Sequence, residues 1–183
     1  YFVAFGASHK ALISALNPHT KVKVIGVPRF DEMTRLYGKR KISKITKKDV
    51  NILVCSSRTP GFCQYDSVAF VDCCQDIREY FSNVGDSLGV NIQLKWRVTE
   101  KYAVEIGLSE KEAKSGAGDL AAALDESDVI FCSPSTLILE AMLMKKPVVL
   151  FDYTGSPVSV ACAWNIFCKR HIEMVAEDVL LMR

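Results

Sequence analysis

Residues 128–152 read DVIFCSPSTLILEAMLMKKPVVLFD, and no other stretch restricts the fold as strongly. Val129, Ile130, Phe131 and Cys132 form an apolar run of strand length, residues 148–151 form a second, and Pro147 closes the helical stretch between them. A strand, a helix and a strand joined by a connection of this length make a parallel, right-handed βαβ unit. Sheets built from such units bind ligands at the carboxyl ends of their strands. The turn Ser133-Pro134-Ser135-Thr136 falls at that end. Ser133 suits an N-cap and Pro134 a first helical position, which predicts a helix that starts there and leaves the backbone N–H groups of Ser135 and Thr136 directed outward. Two hydroxyls stand beside them. This is the arrangement of an anion site, with phosphate as the expected anion.

Glu140 breaks the pattern of the helix that follows, where Leu137, Ile138, Leu139, Ala141, Met142 and Leu143 are all apolar. At helical spacing it shares a face with Ser133 and Thr136, about two turns in. A ribose fits there, its hydroxyls donating to the carboxylate. Plainer readings stand beside this one: the serines are ordinary caps, and Glu140 is a surface residue or the partner of a lysine.

The chain has 183 residues, 49% of them hydrophobic, enough to bury the core of a single domain spanning 1–183. A net charge of +2 removes the general electrostatic argument for a nucleic-acid partner. No apolar run approaches the roughly 18 residues needed to cross a membrane. The chain opens directly on a strand-like run, Phe2-Val3-Ala4-Phe5, the expectation for a piece of a longer two-domain protein. Its seven cysteines contain no C-x-x-C pair, and Cys55, Cys74 and Cys132 fall in apolar runs. They are read as buried reduced thiols of a cytoplasmic protein. His9, His19 and His171 belong to no metal-ligand motif, and no metal is assigned.

Taken in order, the pattern predicts a strand over 2–5, a helix over 9–16, a strand over 22–25 and a helix over 32–37 capped by Asp31. Residues 35–48 carry seven basic residues and no acidic one, read as a solvated face in preference to a contact with acidic lipid. A buried strand over 51–56 delivers Arg58 to the edge of the Ser133 turn, where a guanidinium suits phosphate. An amphipathic helix over 67–81 follows, then a strand over 91–96 that brings Lys95 and Arg97 toward the same edge. Residues 101–116 read as a polar loop, 118–124 as a short helix, 158–170 as a helix and 172–175 as a last strand. Strands and helices alternate throughout, which predicts an α/β chain: a doubly wound, mostly parallel Rossmann-like sheet with helices on both faces.

Val24-Ile25-Gly26-Val27-Pro28-Arg29-Phe30-Asp31, the strand running to Ser57-Arg58, the strand ending at Lys95, and Ser133-Pro134-Ser135-Thr136 with Glu140-Ala141 and Lys146-Pro147 together resemble the C-terminal, donor-binding half of GT-B glycosyltransferases. The likeness is to bacterial surface-carbohydrate enzymes, among relatives of CDP-glycerol glycerophosphotransferases, lipid-A-disaccharide synthase and UDP-N-acetylglucosamine 2-epimerase. The resemblance implies a nucleotide-sugar site, UDP-sugar or CDP-linked, with Ser135 and Thr136 of the Ser133 turn on the diphosphate, Glu140 on the ribose, and Arg58 and Lys95 near the diphosphate. It implies no separate cofactor and assigns no catalytic residue. The acceptor belongs to an N-terminal domain outside this sequence, and the complete protein would work in the cytoplasm, in peripheral contact with the inner face of the membrane. Many relatives follow the lysine with His-Pro, where this chain has Lys95-Trp96-Arg97. A sugar 2-epimerase with the same leaving group and, from another class, a non-catalytic nucleotide-binding or interaction module are the alternatives.

Overall fold

The computed structural model describes residues 1–4, 6–40, 45, 48–56, 67–157 and 163–180. They form two compact units, Tyr1–Lys39 and Arg40–Arg183. In the smaller one, β1 (Phe2–Ala4) and β2 (Val22–Val24) pair in parallel, Phe2 opposite Val22 and Ala4 opposite Val24. The connection between them is α1 (Ala7–Leu16), whose Ile13 is buried, as is Ala4 of β1. A single 3₁₀ turn, Pro28–Phe30, then runs into α2 (Asp31–Tyr37). Asp31, expected as the cap, is instead the first helical residue. The proline-led turn has already wound the chain, so the carboxylate sits inside the first turn, where the exposed N–H groups favour negative charge.

The larger unit contains β3 (Asp49–Cys55), α3 (Ser67–Leu88), β4 (Asn91–Arg97), α4 (Glu100–Ile106), α5 (Glu110–Ala113), α6 (Leu120–Glu126), β5 (Val129–Cys132), α7 (Leu137–Leu143), β6 (Val148–Phe151), β7 (Trp164–Ile166) and α8 (Lys169–Leu180). Its five strands lie in the order β4-β3-β5-β6-β7, every pair parallel. All four residues of β5 and of β6 are buried, as expected where helices cover both faces of a parallel sheet. Side chains alternate between the faces. Ile52, Val54, Phe131, Val149 and Phe151 pack in one cluster with Phe70 and Ile77 of α3, Tyr102 of α4 and Ile172 of α8. Leu53, Ile130 and Leu150 are buried on the other face, where α6 and α7 supply Leu124, Ile138 and Ala141. The chain is thus α/β with a Rossmann-like, doubly wound sheet.

Two predicted segments differ. Residues 101–116 are not a loop: they hold α4 and α5, because Tyr102, Ala103 and Ile106 recur at helical spacing and are buried. Gly107 ends α4 in the left-handed conformation, φ 79°. Ser109 and Glu112 then form a reciprocal capping box that starts α5. Of the predicted helix over 158–170, residues 158–162 lie outside the described residues and the remainder is not one helix, while the predicted strand over 172–175 lies within α8. Residues 164–166 are β7, and Ile172, Val175, Ala176 and Val179 form the buried stripe of α8. Among the described residues, no helix is long and apolar enough to cross a membrane.

Candidate functional site

From β3 the chain passes to β4 on one side of the sheet, and from β5 to β6 on the other. The carboxyl ends of these two neighbouring strands therefore part, and their connections leave toward opposite faces. Such a switch point is where open α/β sheets form their ligand crevice. Cys55 and Cys132, the last residues of β3 and β5, are register partners. The next residue, Ser133, donates its N–H to the Cys55 carbonyl at 3.2 Å, which fixes the Ser133 turn to the mouth of the crevice.

That hydrogen bond also explains a correction. Ser133 is still held to β3, so it ends the strand and does not cap the helix. Helix α7 begins at Leu137, with Thr136 as its N-cap in helical dihedrals (φ −66°, ψ −14°) and no side-chain capping bond. Its opening is tight: Ile138 donates to the Ser135 carbonyl at 3.3 Å and Leu139 to that of Thr136 at 3.0 Å, both i to i−3. Among the described residues, the backbone N–H groups of Ser135, Thr136 and Leu137 meet no backbone acceptor, as in the first turn of any helix. The helix predicted to start at Ser133 thus starts later, at Leu137. At its other end, Lys146 donates to the Ala141 carbonyl and Lys145 to that of Met142, each at 3.0 Å, with Lys145 left-handed at φ 62°. This Schellman closure ends α7 before Pro147 is reached.

Glu140 is only 7% exposed, whereas its neighbour Leu139 is 49% exposed. It is therefore not a solvated surface residue. Its N–H reaches the Thr136 carbonyl at 3.4 Å, which puts it one turn beyond the Ser135 and Thr136 hydroxyls. Arg58 lies outside the described residues. Lys95 sits two residues before the end of β4, and its ammonium is 3.0 Å from Glu126, the last residue of α6. The whole of β5 lies between that helix end and the Ser133 turn, so Lys95 is not brought to the turn as expected. Among the described residues, Arg97 is the cation close to Cys55. Its guanidinium donates to the carbonyls of Gly116 (2.9 Å) and Gly118 (3.1 Å). Burial pushes the Cys55 thiol up to about 12, with the Arg97 charge opposing.

Sequence reasoning passed over Asp152. It follows β6 directly, is 8% exposed, and accepts the Thr154 N–H on Oδ1 at 3.1 Å in an Asx turn. With Ser133, Pro134 and the first turn of α3 it lines a small, shallow cleft. The available signal was a carboxylate immediately after a fully apolar strand. The next residue, Tyr153, anchors the loop: its hydroxyl donates to Asp76 Oδ2 at 3.3 Å. Asp76 in turn meets Lys169 at 2.9 Å, tying α3 to the start of α8. Burial, with Cys73 and Asp76 close by, pushes the Tyr153 phenol up and keeps it a donor.

Compared with known proteins, the chain matches no family model, no curated protein and no solved structure.

Proposed function

We propose that the crevice between β3 and β5 binds the diphosphate and ribose of a nucleotide-sugar. The larger unit would then be the donor-binding domain of a GT-B glycosyltransferase of surface polysaccharide or glycolipid synthesis, completed by an acceptor domain. The observation that carries this reading is the Ser133 turn at the topological switch point, with the buried Glu140 one helical turn beyond it. Amides of residues 135–137 and the hydroxyls of Ser135 and Thr136 suit phosphate oxygens. A carboxylate accepts several hydrogen bonds at once, which suits Glu140 to vicinal ribose hydroxyls. Transfer breaks the bond between the sugar and the diphosphate, so negative charge grows on the departing diphosphate. The same donors, already oriented, stabilise it as it forms.

Calorimetric titration with uridine, cytidine and guanosine diphosphates and with inorganic pyrophosphate tests the assignment. Glu140→Gln is expected to weaken the preferred nucleoside diphosphate by about 1.5–3 kcal/mol, the range for a hydrogen bond to a charged group, and to leave pyrophosphate unchanged. Ser135→Ala with Thr136→Ala should weaken both ligands together. A Glu140→Gln protein with the parental melting temperature and parental nucleotide affinity would remove the ribose assignment. A parent that binds none of the nucleotides would leave the interaction module as the better reading.

A further inference from the structure

We draw no further inference here: the strongest candidate, the exposed face of the β1–β2 pair on which Tyr1, Val3 and Ile25 stand beside Lys21 and Lys23, carries none, because nothing in the structure shows what covers it.

Discussion

Cys55 and Cys132 floor the crevice, and their chemistry is set by burial. Each is at most 2% exposed, and desolvation holds both thiols well above their ordinary value, Cys55 at about 12. A raised thiol pKa means the neutral form persists to high pH. At pH 8 Cys55 is therefore held as the neutral thiol, and the thiolate is the species that reacts. Cys73 and Cys74 are buried and raised in the same way, whereas Cys168 is exposed. Of these five thiols, iodoacetamide at pH 8 is expected to label only Cys168 in the native protein and all five after denaturation, read by peptide mass spectrometry. Labelling of Cys55 at the rate of Cys168 would contradict the placement of β3. Single residues out of pattern were the legible part at this scale. Glu140 announced itself as one charge in an apolar helix, and it is buried. Asp152 did not, because an acid after a strand is common and only the neighbouring cleft sets it apart.

Helix α5 and the segment behind it show how a short element is held by its ends. The Ser109 hydroxyl and amide engage Glu112, which also takes the Arg78 guanidinium at 3.1 Å, and these contacts lower the Glu112 pKa, the Ser109 bonds most. The chain then runs along the outer edge of β4. The Trp96 N–H donates to Ser115 Oγ at 2.8 Å and the Gly116 N–H to the Trp96 carbonyl at 3.0 Å. This pairing covers an edge strand that would otherwise present open backbone groups. It requires glycine at 116 for space: a Cβ there would lie 2.7 Å from the Trp96 carbonyl oxygen and 2.9 Å from its carbon. Backbone atoms in a paired strand cannot yield as a flexible side chain can. Gly116→Ala is expected to cost about 1–3 kcal/mol, the range for overpacking, measured as a lower urea midpoint. An unchanged midpoint would show that the edge is not closed in this way.

At the scale of the molecule, the two units differ in what they can sustain. Residues 40–183 contain a five-stranded sheet with a buried cluster on each face. Residues 1–39 contain a two-stranded parallel sheet, with Phe2, Val3, Leu12 and Leu16 each at least 45% exposed. Isolated two-stranded sheets and helices of this length are marginal in water. Expressed alone, residues 40–183 are expected to unfold in one cooperative thermal transition, and a peptide of residues 1–39 to show a mostly unordered circular dichroism spectrum. A broad, non-cooperative melt of residues 40–183 would refute the division.

Local pattern was enough for the alternation of strands and helices, the buried runs at β3, β5 and β6, the turn at 133–136 and the anomalous Glu140, because each is written in consecutive residues. It was not enough where a helix and a strand have similar apolar content, as at 164–180, since a run of four apolar residues fits either period until a partner surface selects one. Nor does pattern say which strands are neighbours. The order β4-β3-β5-β6-β7 turned a set of strand ends into one crevice, withdrew Lys95 to Glu126 and brought Arg97 beside Cys55. The pairing of β5 with β6 likewise set Asp152 beside Ser133, although eighteen residues of chain separate them. Strand adjacency is a property of long-range hydrogen bonding and packing, so only the tertiary structure could decide which of the charged groups share a site.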